Sequence, residues 1–310
     1  MSESLNRLLR IVLAGWNRFF FSPGSAFNLA ITRIVVCLTS LWIILSRDLP
    51  ATSGFPSVFW THVSRPSQWR YLLFPGHESL ERGLQALAII ALLLLSVGLW
   101  TRLNAVVAAV LLYHLAPLET IYWNPNPYLR GFTIPVLSLV VLSVSPCGDA
   151  FSLASSSRKT SKAEAWEYSW AVRLVQIEIC FIYFFSGYSK LLDVGLAWLH
   201  PATLRAWLLA LNQVQETRVF HTLGPWLAEH PWLCFLMAAG SLLLELSFPL
   251  ALFNRTIRRI LLTSAFAMHI GIMLAFNITI LFLPFFAAFI DWEKISQRWN
   301  NSSKAASALA

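Results

Sequence analysis

An all-α, polytopic membrane bundle of about eight spans is the fold class this sequence predicts, and three observations carry the prediction. Of 310 residues, 57% are hydrophobic and only 12% charged, about half the charged share of an ordinary soluble domain. Mean hydropathy is +0.61. The apolar residues fall in runs of about the length a bilayer needs rather than in short alternating segments. Together these exclude a soluble globule, and a disordered chain needs the opposite composition. The formal net charge is +8, but the basic residues are scattered between apolar runs. They set topology and do not form a nucleic-acid surface, so no nucleic-acid partner is expected.

The elements follow in order along the chain. Leu5, Leu8, Leu9, Val12, Leu13, Trp16, Phe19 and Phe20 recur at helical spacing, with Arg7, Arg10 and Arg18 on other faces. That pattern predicts an N-terminal amphipathic helix lying in the membrane interface, ended by Ser22-Pro23-Gly24. The spans are then expected at 27–46, 84–100, 103–118, 131–146, 169–189, 232–252, 258–275 and 277–290. Asn277 marks a turn or break between the last two. The domain organisation expected is 1–26 as the amphipathic interfacial segment, 27–292 as the transmembrane domain and 293–310 as a cytoplasmic tail, frayed from about 298.

Eight spans put both termini on one side. The segments on that side carry the larger share of Lys and Arg, among them Arg7, Arg10, Arg102, Lys159, Arg255, Arg258 and Arg259. The opposite loops carry Arg47, Arg65, Arg70, Arg82, Arg130, Arg205 and Arg218. By the positive-inside rule both termini are expected in the cytoplasm. Two opposite loops, 47–83 and 190–231, are long and rich in Trp, Pro and His, including Trp60, His62, Trp198, Trp207 and Trp226. Indoles favour the interface, so these loops are expected to fold back into it. Only 151–166 reads as a flexible polar loop. Cys37, Cys147, Cys180 and Cys234 are widely spaced and form no metal or dithiol motif.

Charges within spans cost about 2.5–3.5 kcal/mol on insertion scales, so each is a functional candidate. Gln176, Cys180, Tyr183, Gly187 and Lys190 share one helix stripe, the wall of a pocket opening at Lys190 toward the extracytoplasmic side; alternatively Lys190 snorkels to the interface. Glu245 lies mid-span and is either protonated or paired with a cation such as Arg33 or Arg173. His269 either faces a ligand or bonds a neighbouring helix. Arg33, early in the first span, is a structural or pocket cation. The WNPNPYLRG segment forces a tight turn and offers Asn124, Asn126 and Tyr128. No hydrolase, phosphate-loop, dinucleotide or zinc motif is present.

YFFSGYSKLLDVGLAW at 183–198 resembles the HTTM domain family, the membrane domain shared with vitamin K-dependent γ-glutamyl carboxylase. ITRIV (31–35), GLWTRL (98–103), YWNPNPYLRGF (122–132), LLLELSFPLALF (242–253) and MHI (268–270) are similar to that family in the same order, so the resemblance covers about residues 25–292. It implies a small bacterial-type member in the cytoplasmic membrane and a lysine base at Lys190 acting on reduced vitamin K or another quinol. Gln176, Tyr183, His269, Glu245, Arg33, Asn124, Asn126 and Tyr128 would line the pocket. In the carboxylase the lysine's action, with O2, yields a base that removes a glutamate γ-proton, and CO2 adds to the carbanion. The carboxylase's large extracytoplasmic domain has no counterpart in this chain, so a secreted or membrane peptide substrate is expected to be recruited by the long loops or a partner protein. Two other readings stand beside this one. A non-catalytic maturation or export factor would tolerate loss of Lys190 but not of Trp198 or Trp207. A small-molecule transporter is disfavoured by the absence of repeat halves with interrupted helices.

Overall fold

The computed structural model describes residues 3–56, 77–120, 133–153, 165–214, 223–276 and 283–309. Every regular element among them is helical: α1 (Glu3–Phe20), α2 (Ala26–Leu45), α3 (Glu78–Ser96), α4 (Thr101–Thr120), α5 (Thr133–Val144), α6 (Glu167–Asp193), α7 (Pro201–Val214), α8 (Leu223–Ala228), α9 (Pro231–Ser247), α10 (Arg255–Phe276) and α11 (Trp292–Leu309), with short 3-10 segments between some of them. Five are long and apolar enough to cross a membrane: Ala26–Leu45, Glu78–Ser96, Glu167–Asp193, Pro231–Leu252 and Arg255–Phe276. Thr101–Ala116 and Thr133–Val144 are apolar but shorter. Seven of the eight expected stretches therefore coincide with helices, while five meet the length and composition of a span. The stretch expected at 277–290 holds a 3-10 segment, Leu283–Phe289, and its first residues lie outside the described ones. The tail expected to fray is helical, since α11 runs through Leu309.

The chain divides into two compact units, residues 1–175 with 284–310 and residues 176–283. In the first, α3 packs against α2 and α4, and α4 against α5. Ser25 caps α2 by accepting a hydrogen bond from the Phe27 N–H at 3.1 Å. The α3–α4 turn uses Gly98 at φ +81, where a Cβ would strike Ser152, whose hydroxyl donates to the Gly98 carbonyl at 2.6 Å.

Arg33 is the organising residue of this unit. It is 0% exposed, and its guanidinium donates to four backbone carbonyls: Cys147 and Phe151 at 2.5 Å, Ala150 and Ser96 at 3.3 Å. Ser96 ends α3, where the last carbonyls have no intrahelical donor. A planar fork of five N–H groups suits such a cluster as a lysine cannot. A second buried polar contact joins Glu81 on α3 to His114 on α4 at 2.8 Å. Along α1, Leu9, Val12, Leu13 and Trp16 of the expected apolar face are exposed, as is Ile11 on another face.

In the second unit, the described residues of the segment read as a long loop, 190–214 and 223–231, form a packed layer. A 3-10 segment (Gly195–Leu199), α7 and α8 cover parts of α9 and α10. At 14 residues, α7 is about 21 Å long, too short for a bilayer core of about 30 Å. Its Leu204 and Leu208 enter a core with Ala228, Cys234, Ala275 and Phe276, against which Leu211 also packs. Trp207 and Trp226 of the layer, and Trp232 at the start of α9, remain exposed.

Replacing Arg33 with Leu leaves four carbonyls without their donor, at about 1–3 kcal/mol for each that stays buried and unpaired. We expect a large drop in the thermal midpoint of the detergent-purified protein, with Arg33→Lys intermediate. An unchanged midpoint for Arg33→Leu would show that the carbonyls find other donors.

Candidate functional site

Helix α6 builds the site because its polar residues recur on one face. Gln176, Cys180, Tyr183 and Gly187 are all buried, and Lys190 follows at the rim. The expected stripe is therefore the inward face of this part of α6. Glu178 lies off that face and is half-buried.

At the rim, the Lys190 ammonium donates to both carboxylate oxygens of Glu245 at 2.5 Å and to the Ser186 hydroxyl at 3.3 Å. The two side chains retain 20% and 7% exposure. Glu245 is thus paired with a cation, and the cation is Lys190 in place of the expected Arg33 or Arg173. Arg33 is held by carbonyls of the other unit, and the guanidinium of Arg173 lies 5.0 Å from the centre of the Phe19 ring.

The close approach depends on Gly187. A Cβ there would lie 3.0 Å from Cβ of Glu245 and 3.1 Å from Cγ of Leu246, so a side chain would push the carboxylate's helix away. The indole of Trp198, in Gly195–Leu199, completes the rim with its ring centre 5.1 Å from Nζ of Lys190, a cation–π distance.

Deeper in the unit, the Tyr183 hydroxyl and His269 Nε2 are 2.5 Å apart, so His269 bonds a neighbouring helix. Tyr183 also stacks on Phe248, with ring centres 3.9 Å apart and 11° between planes. Lys190, Glu245, Tyr183, His269 and Gln176 all belong to the second unit, and Arg33 to the first. Asn124, Asn126 and Tyr128 lie outside the described residues.

Sequence reasoning missed two contributors to the site, Ser186 and Trp198, and, in the other unit, the buried acid Glu81. Ser186 was findable, because it sits four residues before Lys190 on the same helix face. Trp198 stood out only as a loop aromatic. Glu81 fell outside the second span because its helix starts at Glu78, earlier than the apolar run that marks it. No group of His, Cys, Asp or Glu side chains able to hold a metal ion occurs among the described residues.

An ammonium and a carboxylate in mutual contact, largely withdrawn from water, can exchange a proton without either leaving its place. A helical bundle with apolar, membrane-length helices and such a pair defines a polytopic membrane protein with a candidate proton-transfer site. The chain belongs to the HTTM domain family, whose model matches residues 21–291. No curated protein and no solved structure matches it.

Removing one partner of a buried ion pair strands the other, typically at about 3–5 kcal/mol, whereas replacing both with apolar residues is often near neutral. Lys190→Met and Glu245→Leu should each lower the unfolding midpoint more than the double variant does. Gly187→Val should act like the single variants by overpacking, at about 1–3 kcal/mol. A double variant as unstable as the sum of the singles would mean that the two residues are not coupled.

Proposed function

We propose that this chain is a quinol-dependent, carboxylase-like enzyme that modifies a secreted or membrane peptide, with Lys190 as its base. The observation that carries the reading is the Lys190–Glu245 pair on membrane-length helices, at the position where the resemblance to the carboxylase puts the catalytic lysine. The bacterial cytoplasmic membrane, with both termini cytoplasmic and Lys190 toward the extracytoplasmic side, is part of the same proposal.

The residues fit such a group. Lys190 offers an amine beside the apolar Trp198 ring, and the Nε1 of Trp198 is a buried donor with no acceptor among the described residues. Reduced vitamin K or another quinol, together with O2 and CO2, would supply the oxidation and the carboxyl carbon that no side chain can. The chain's own part is proton management. Glu245 accepts the ammonium proton on a carboxylate oxygen, which leaves a lone pair on Nζ of Lys190. That amine then takes the proton of an acidic hydroxyl brought against it, as general acid–base catalysis requires. Ser186 holds Nζ in place through both states. Tyr183 and His269 brace the buried face of α6 against α10, and Gln176 extends the same polar face.

The test is quinone epoxide formation by the purified protein given a reduced naphthoquinol and O2. Wild type should form epoxide, and Lys190→Ala should lose about 10²–10⁴-fold of the rate, the usual contribution of a positioned base. No epoxide from folded wild type across several quinols would overturn the reading and favour the non-catalytic maturation factor.

A further inference from the structure

We propose that Trp198 is a ligand-binding residue whose indole N–H donates a hydrogen bond to an oxygen atom of an amphipathic molecule seated beside Lys190. The three ammonium hydrogens of Lys190 are matched by Oε1 and Oε2 of Glu245 and Oγ of Ser186. The carboxylate in turn receives the ammonium. In this ion-paired state the ammonium has no spare hydrogen to donate to an incoming acceptor.

Trp198 differs. Its Nε1 is buried and has no hydrogen-bond partner among the described residues, although buried indole N–H groups ordinarily find one. Lys190 cannot relieve this, because an ammonium donates hydrogen bonds and accepts none. The ammonium lies over the ring, where the quadrupole is negative, whereas the N–H points outward in the ring plane. The face and the edge of one side chain therefore serve different tasks: the face screens the cation, and the edge presents a donor.

The backbone holds the indole there by design. Gly195, at φ +63, lets the chain turn sharply after α6 into the 3-10 segment that carries Trp198, a conformation most residues resist. The Thr203 hydroxyl bonds the Ala197 carbonyl at 2.8 Å, tying that segment to the start of α7.

Donor and surroundings together define the ligand's chemistry. Its polar atom is an acceptor, a carbonyl, phenolic or carboxylate oxygen. A cationic group is excluded because Glu245 is already paired and Lys190 would repel it. Its body is apolar, since Leu192, Val194 and Leu196 beside the rim are exposed on a segment that follows a membrane-length helix. A quinone ring oxygen and a carboxylate on a lipophilic peptide both answer this description.

The inference deepens the reading of the Lys190 site and rests on it only for the choice of probes. The experiment uses the full chain in lipid nanodiscs, with Trp198→Phe and with the benzothiophene isostere of tryptophan installed at position 198. The isostere keeps the ring and deletes only the N–H. Without ligand, the isostere should unfold at the same temperature as wild type or higher, because it removes a donor that has no partner. It should bind either menadione, the quinone arm, or N-octanoylglutamate, the carboxylate arm, about tenfold more weakly than wild type, the worth of one hydrogen bond. Trp198→Phe should show the same weakening. An isostere less stable than wild type would assign the N–H a protein partner and overturn the proposal. Equal affinity of both forms for both probes, or no binding of either probe to wild type, would overturn it too. Neither readout involves epoxide formation, so failure of the catalytic reading leaves this test intact.

Discussion

A charge withdrawn from water has to be answered where it stands, and that requirement organises both units of this chain. In the second unit Lys190 and Glu245 answer each other across two helices, and the meeting dictates much around it. Position 187 must be glycine-sized, α6 must turn its polar face inward, and Trp198 must lie over the ammonium. In the first unit the same requirement is met without any acid. Arg33 is answered by carbonyl dipoles at the end of α3 and in the segment after α5, so a single side chain fixes the mutual placement of α2, α3 and the chain following α5. The contrast follows from side-chain geometry: a planar fork can serve several carbonyls, whereas a compact ammonium is best matched by one carboxylate.

The fold class was largely legible because bilayer-length hydrophobicity is a strong signal, and the α6 face was legible because its polar residues keep strict helical spacing. Partner choice was not. Glu245 called for a cation, but a single sequence does not say which basic residue lies across from it, and Lys190 read equally well as an interface anchor. The last expected span shows a different gap. Hydropathy marks Leu283–Phe289 as apolar without revealing that it winds as a 3-10 segment. The 190–231 segment failed in the opposite sense, since its Trp and Pro content read as a loop while Leu204, Leu208 and Leu211 already traced the buried side of a helix.

Tyr183, Phe248 and His269 illustrate how a polar contact and an aromatic stack can share one task. Stacking fixes the plane of the phenol, and the imidazole fixes its direction, so this section of α6 is held against rotation. That matters for Lys190, which sits two turns further along the same helix. A rotation of α6 by a few tens of degrees would carry the amine away from the carboxylate. The deep aromatic contacts thereby act as a key for the polar rim.

The Arg33 cage also constrains how the protein is made. The arginine precedes its most distant carbonyl partner, on Phe151, by 118 residues. At ribosomal speeds of about 5–20 residues per second, roughly 6–24 seconds separate the synthesis of the two. Through that interval α2 carries an incompletely compensated cation, with the Ser96 carbonyl alone of its four partners made early, and a charge at the membrane centre costs about 2.5–3.5 kcal/mol, which the rest of its apolar sequence must outweigh. The four-carbonyl cage around Arg33 is complete only once the segment after α5 has arrived. Synthesis of this membrane protein thus contains a waiting period, and the first helix to be inserted is among the last to be finished.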